Sequence, residues 1–300
     1  MVITNAFTVD VEDYYHVSAF ERYVPRDNWD RYESRVVTNT RRMLGLLDRH
    51  NVKATFFILG WVGQHYPQLV REIHQAGHEI ASHGYWHRLI YNQTPEEFRD
   101  DIRLSRKLLE DIIGERVFIY RAPSFSVTEQ SRWAIEILIE EGYSIDSSIF
   151  PIYHDRYGIP GAKPFLHQID TSVGSLWEFP PSIVRLAGQN LPVSGGGYFR
   201  LFPLFWTTWC LKYIGRTTGQ PFIFYVHPWE TDPEQPRLFK NASLKSRFRH
   251  YINLRTTLQK LDMLLPNFRF GTVSEVIGNY AAQQGLSDAI PQLAHKKAIS

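Results

Sequence analysis

The chain almost lacks cysteine: Cys210 is the only one in 300 residues. A single thiol closes no internal disulfide, so neither a disulfide scaffold nor an oxidising compartment is required. Cys210 lies in the apolar stretch FWTTWCLKYI, which suits a packing residue better than a nucleophile. Charge of one sign is also missing. Thirty-three basic residues against 31 acidic leave a net charge of +2, and no basic run carries interleaved aromatics, so nothing points to nucleic acid. No apolar run reaches the roughly 18 residues of a membrane-spanning helix. The opening MVITNAFTVDVEDYY has neither the basic start nor the long apolar centre of a cleaved leader, and reads as a first strand. The expected address is cytoplasmic. A G-x-S-x-G elbow is absent, and SGGGYFR lacks the G-K-[ST] ending of a phosphate-binding loop. That removes support for acyl-enzyme and P-loop chemistries and leaves SGGGYFR as a flexible loop able to close over substrate.

Hydrophobic content of 43% and charged content of 21% describe an ordinary globular chain. Aromatic content of 14% is high, and such side chains fill cores or line grooves for amphipathic ligands. The apolar stretch 201–214, LFPLFWTTWCLKYI, is expected to be a buried helix, with contact to a membrane surface or a lipid substrate as the alternative.

Strand-like runs alternate with helical periodicity. ITNAFTVD, VKATFFILG, HEIAS, RVFIYRAPS and PFIFYVHP read as strands, with RVVTNTRRMLGLLDRH, YPQLVREIHQAG, TPEEFRDDIRLSRKLLEDIIG and TEQSRWAIEILIEEG as helices between them. Thr94, Pro95 and Glu97 predict a capping box, and Gly77 and Gly114 predict helix ends. RTTLQKLDMLLPN and FRFGTVSEVIGNY add a helix and a final strand–helix pair. β/α alternation implies a mostly parallel sheet or barrel. One domain is expected over residues 1–280. Its irregular insert, about 142–203, is read as loops over one face, and 281–300 as a tail.

The chemically capable residues fall where strands end, which is where parallel β/α folds build their sites. TVDVED supplies Asp10, Glu12 and Asp13. SHGYWH supplies His83 and His87, four apart, a spacing that lets two imidazoles face one point. Two imidazoles and one carboxylate leave positions open for water and substrate, the pattern of a catalytic metal site. RAPSF places Arg121 where it can hold a carboxylate bidentately. The backbone N–H groups after Pro123, at Ser124 and Phe125, could form an oxyanion hole. His227 ends FYVHPWE and suits a general acid, with Glu178 of LWEFP or Asp146 to orient it and Trp177 as an aromatic wall.

In this order, TVDVED, SHGYWH, RAPSF, LWEFP and FIFYVH resemble the five motifs of the NodB-type polysaccharide deacetylases, carbohydrate esterase family 4, over roughly residues 5–230. LPVSGGGYFRLFP and RFRHYINLRTTLQKLDMLL further resemble the subgroup associated with exopolysaccharide and exosortase (PEP-CTERM) gene clusters. The resemblance implies a distorted (β/α)7 barrel, Asp10 as base, His83 and His87 as metal ligands, Arg121 orienting Asp10, and His227 as acid. The D-x-E-D form of the first motif departs from the common pattern and favours Glu12 as the third ligand, with Asp13 as the alternative. Gly84 stands where a Ser or Thr is commoner. The implied activity is metal-dependent removal of N-acetyl groups from a polysaccharide or its lipid-linked precursor. Zn2+ fits such a ligand set, which also takes Co2+, Ni2+, Mn2+ or Fe2+. An amidohydrolase on a small cyclic or linear amide, and a non-catalytic glycan-binding module, are the other readings.

Overall fold

The computed structural model describes residues 3–154, 156–238 and 241–286. Eleven strands are found among them: β1 (Thr4–Val11), β2 (Thr55–Ile58), β3 (Glu79–Ser82), β4 (Ile119–Tyr120), β5 (Ile145–Asp146), β6 (His167–Thr171), β7 (Gly174–Glu178), β8 (Ile183–Leu186), β9 (Gln189–Pro192), β10 (Ile223–Val226) and β11 (Arg269–Gly271). The main sheet runs β10-β1-β2-β3-β4-β5-β7-β6, and β11 lies beside the start of β1. All pairs are parallel except β6–β7. Seven parallel strands, β1 to β5 with β7 and β10, form the expected distorted (β/α)7 arrangement.

The connections are α1 (Val36–Arg49), α2 (Gly60–His65), α3 (Pro67–Gln75), α4 (Pro95–Ile113) and α5 (Trp133–Glu140). Further along come α6 (Gly196–Leu201), α7 (Leu204–Thr218), α8 (Leu244–Tyr251), α9 (Leu254–Leu264) and α10 (Val273–Gln283). The expected signals operate. Thr94 and Glu97 form the capping box of α4, and Gly114 closes it in the left-handed conformation. Helix α10 runs past residue 280; of the expected tail, 287–300 lies outside the described residues.

Alternation along the strands sorts the core. Phe7, Val9 and Val11 join Phe56, Ile58, Phe224 and Val226 in one cluster with α1 residues. Ala6, Phe57, Ala81, Ile145, Trp177 and Ile223 face the other way and form a second cluster, closed by α10 through Val273 and Ile277. A large apolar side chain buried this completely contributes roughly 1.5–3 kcal/mol. Thr8 and Asp10 share the parity of Ala6, which directs them to the inner face.

Three expectations change here. Stretch 142–203 is not a run of loops: it holds β5, β6 and β7, which extend the main sheet, and the hairpin β8–β9. Its Gly and Pro residues punctuate short strands and hid their alternation. SGGGYFR is a seam rather than a flap. Gly195 bridges Tyr225 of β10, and a Cβ there would overlap the Tyr225 carbonyl. Ser182, directly before β8, accepts the Ile223 N–H, so the segment between β7 and β8 also meets β10. Helix α7 is only half buried. Cys210, Leu211 and Ile214 pack inward, whereas Phe205, Trp209 and Tyr213, at i, i+4 and i+8, lie on an exposed face. No described helix is long and apolar enough to cross a membrane.

Candidate metal centre and active site

Glu12, His83 and His87 converge at the C-terminal ends of β1 and β3. One donor atom from each lies within 4.8 Å of the other two, and all three residues are buried. His83 follows β3 directly, and its Nδ1 is 2.8 Å from the Arg121 carbonyl. A proton on Nδ1 donated there leaves the Nε2 lone pair for an ion. His87 is reached through a loop. Asp101 of α4 accepts the N–H groups of Tyr85 (2.7 Å) and Trp86 (3.1 Å), and Gly84 (φ +71°) and His87 (φ +51°) turn through left-handed conformations. At Gly84 a Cβ would come within 2.8 Å of Asp101 Oδ2, so the tight turn explains glycine where the resemblance leads one to expect Ser or Thr.

Glu12 Oε2 lies 2.8 Å from His87 Nε2, buried and without a hydrogen-bond partner. With His83, this pair brings three donor atoms close enough to share one cation. Burial alone would raise the Glu12 carboxyl, but His87, His227 and His83 hold it well below the usual carboxylate range. Burial pushes His83 down to about 4, so it is neutral and able to ligate. Two imidazoles and one carboxylate suit Zn2+ and other divalent transition ions.

Asp13 does not belong to this cluster. Its carboxylate accepts from Ser34 Oγ (2.8 Å), Arg35 N (2.7 Å), Val36 N (3.0 Å) and Tyr14 N (3.0 Å), and so it satisfies the start of α1. The alternative ligand is thereby a structural residue: the chain turns after Val11 and sends Glu12 and Asp13 in different directions.

Asp10 and His227 flank the cluster. Asp10 Oδ1 is 2.6 Å from Arg121 Nη1, while Oδ2 faces His227 Nε2 at 3.8 Å. The arginine grip is single, not bidentate. Nη1 also reaches Thr8 Oγ1 (2.9 Å), Nη2 goes to Ser147 Oγ (3.0 Å), and the guanidinium lies 4.0 Å over the Phe57 ring. His227 Nε2 is 3.2 Å from Glu12 Oε1, and its Nδ1 is 3.0 Å from Glu230 Oε2. Burial alone would lower the His227 imidazole. Glu230, Glu12 and Asp10 overcome this and raise it to about 9, so it stands protonated.

Glu230 is in turn gripped by the buried Arg200 at 2.7 Å. Neither Glu230 nor Arg200 was among the residues expected from the motifs. The signal for Glu230 is local, since HPWE puts a carboxylate three residues after His227, the spacing of a capping box. Arg200 is 30 residues away from Glu230 and carries no such signal.

Trp177 and Glu178 do not serve the expected roles. Trp177 joins the inner core near Tyr280, and Glu178 points to the opposite side of β7, where it pairs with Asp146. Burial raises both carboxyls, Asp146 to about 6 and Glu178 well above the usual range, so the two share a proton away from His227. Of the RAPSF residues, Ser124 (φ +52°) reaches the site. Its Oγ is 2.9 Å from Ser18 Oγ, which in turn lies 3.4 Å from His87 Nδ1. Pro123 is buried, and Phe125 packs on Phe150 and Tyr225. The Phe125 and Ser126 N–H groups close the turn onto the carbonyls of Ala122 and Pro123, which removes them as oxyanion donors.

A cleft of about 370 Å3 opens beside the cluster, with Ser18, Ser124, Tyr157 and Trp229 in its walls. Trp229 stacks on His227. A larger cavity of about 1130 Å3 lies between the β8–β9 hairpin, residues 160–165 and α7; none of the catalytic candidates lines it.

Residues 27–138 match the family model described as polysaccharide deacetylase. Over that segment the chain is similar to the polysaccharide deacetylases. Residues 147–278 match a second model, a domain of unknown function, DUF3473. A peptidoglycan-N-acetylglucosamine deacetylase of Bacillus cereus is 35% identical over 98 residues, 32% of this chain and 36% of that protein. A peptidoglycan deacetylase of Helicobacter pylori is 30% identical over 126 residues, 41% of this chain and 42% of that protein. The chain thus spans less than half the length of either relative. A crystal structure of polysaccharide-deacetylase type from Mycobacterium smegmatis superposes with a TM-score of 0.61 at 19% identity, covering 93% of this chain and 90% of that one, which shows the shared fold.

Proposed function

We propose that the protein is a metal-dependent hydrolase that removes N-acetyl groups from an amino sugar in a polysaccharide or its lipid-linked precursor, in exopolysaccharide biosynthesis. The observation that carries this reading is the buried Glu12/His83/His87 set with a carboxylate held by Arg121 on one side and a protonated imidazole on the other. Glu12, His83 and His87 would hold the ion, most simply Zn2+. When bound, the ion supplies Lewis-acid polarisation of water and of an acetamide carbonyl.

The chain's own groups do the rest. Arg121 occupies Asp10 Oδ1 and leaves Oδ2 turned to the site, where it accepts the proton of the attacking water. His227, charged through Glu230, donates its Nε2 proton to the departing amine. Arg200 holds Glu230 so that the imidazole keeps its orientation. The aromatic walls of the cleft, Tyr157 and Trp229 among them, suit stacking on sugar rings. A glycan-binding module would need neither base nor acid.

The test is acetate release from N-acetylated oligosaccharides by zinc-loaded protein. Asp10→Asn is expected to abolish turnover with metal content unchanged. An active Asp10→Asn protein would remove Asp10 from the role of base.

A further inference from the structure

The cleft beside the metal centre has a one-signed lining. Arg156, Lys245 and Arg249 are exposed at its edge, and none of its described lining residues is acidic. This is a local property, because the chain as a whole is close to neutral at +2. Other basic residues near the site are neutralised: Arg26 by Glu21 (2.7 Å), Arg88 by Glu97 (3.1 Å) and Arg200 by Glu230. Arg156, Lys245 and Arg249 make no ion pair among the described residues. Three cations without an ion-pair partner among the described residues, on one cleft, raise the local concentration of anions and select for them.

The position of this edge is fixed with respect to the chemistry. Lys245 and Arg249 ride on α8, and Arg200 ties down the end of that helix. Its Nη1 donates to the carbonyls of His250 (2.7 Å) and Ile252 (3.0 Å), and its Nη2 to that of Arg249 (2.9 Å). The Nε of the same guanidinium holds Glu230, which holds His227. One buried arginine therefore sets the distance between the cationic edge and the general acid. Trp229 stacks on both His227 and His250, the last but one residue of α8, and reinforces the link.

We infer that the substrate carries an oxyanionic group, a carboxylate or a phosphate, next to the acetamido sugar, and that Arg156, Lys245 and Arg249 bind it. This inference rests on the deacetylase reading above. It makes the enzyme selective for an acidic glycan or a phosphate-linked saccharide over a neutral polymer of the same amino sugar.

The experiment compares kcat/KM of zinc-loaded protein on three probes: N-acetylchitotetraose, which is neutral; a hyaluronan tetrasaccharide, which adds carboxylates; and uridine diphosphate N-acetylglucosamine, which adds phosphates. Each is run at low and at high salt, with wild type and the combined variant Arg156→Gln/Lys245→Gln/Arg249→Gln. The expected result is a preference of about tenfold or more for one anionic probe. That preference weakens when salt shortens the screening length and disappears in the variant. The preferred arm tells carboxylate from phosphate. Equal kcat/KM on all three probes, or a preference that survives the variant, would overturn the inference while leaving the deacetylase reading intact. If no probe is turned over, that reading fails instead. Titration calorimetry with the tetrasaccharide and with inorganic pyrophosphate then decides the cleft alone: salt-sensitive binding lost in the variant upholds it, and no binding refutes it.

Discussion

Replacing Asp13 and Glu12 one at a time separates two neighbouring carboxylates that the sequence leaves equivalent. Asp13→Ala removes the acceptor for Ser34 Oγ and for the N–H groups of Tyr14, Arg35 and Val36. Tyr14 and Val36 are buried, so their donors gain no water in exchange. Loss of a helix cap costs roughly 0.5–2 kcal/mol, and each hydrogen bond to a charged acceptor contributes roughly 1.5–3 kcal/mol. With partial relaxation the sum is about 3 kcal/mol. At roughly 2 °C per kcal/mol for a chain of this size, the melting temperature of chelator-stripped protein should fall by about 6 °C. Stripping matters because a bound ion would itself stabilise the fold. After reloading, elemental analysis of Asp13→Ala should find zinc as in wild type. Glu12→Ala should show the reverse, with zinc lost and the metal-free melting temperature changed far less. Zinc lost from Asp13→Ala with an unchanged melting temperature, or zinc retained in Glu12→Ala, would refute the assignment.

Three further outcomes follow from the geometry. Glu230→Gln keeps the shape but removes the charge that orients and protonates His227; kcat should drop by about 10–100-fold with metal content intact, the usual effect of losing such a supporting group. Gly84→Ser forces a side chain into a left-handed turn against Asp101, and should lower both the melting temperature and zinc retention; calorimetry and metal analysis of the same sample check this. The Asp146–Glu178 pair gives a pH signature. Both carboxyls are raised in the fold, so the stability they confer is full below their ordinary values of 3.8 and 4.5. It is lost as pH rises through about 6 for Asp146 and higher for Glu178. The wild-type melting temperature should therefore decline on that limb more steeply than that of Glu178→Gln, which needs no shared proton; parallel curves would sink the idea.

Much of the fold was legible because its signals are local. The capping box at Thr94 and Glu97, the all-apolar TFFI of β2, and the short HEIAS strand that delivers His83 each depend on a handful of adjacent residues. The candidate metal and base positions were legible for the same reason, since Asp10, Glu12, His83 and Arg121 each sit at or just past a strand end. The rest depended on pairings that spacing does not encode. Two-residue strands such as β5 are too short to show alternation, so 142–203 read as loops, and the face of Glu178 could not be known without the register that sets it beside Asp146. Arg200 meets Glu230 only because the seam at Gly195 brings α6 against the loop after β10. The all-round apolar composition of α7 implies burial; the packing covers one side and leaves Phe205 and Trp209 outside.

The two family matches cover different parts of the candidate site, and Asp10 and Glu12 precede both. His83, His87 and Arg121 fall within 27–138, whereas Arg200, His227, Glu230 and the cationic edge of the cleft fall within 147–278. On the proposed reading, the first segment carries the imidazole ligands, the anchor of the base and one wall of the cleft with Leu89, Tyr91 and Ser124, and the second carries the proton donor and the cationic edge. Tuning for a new glycan can therefore accumulate in the second segment without disturbing the inner coordination set. The single guanidinium of Arg200 limits that freedom, because any remodelling that moves α8 also pulls on the acid.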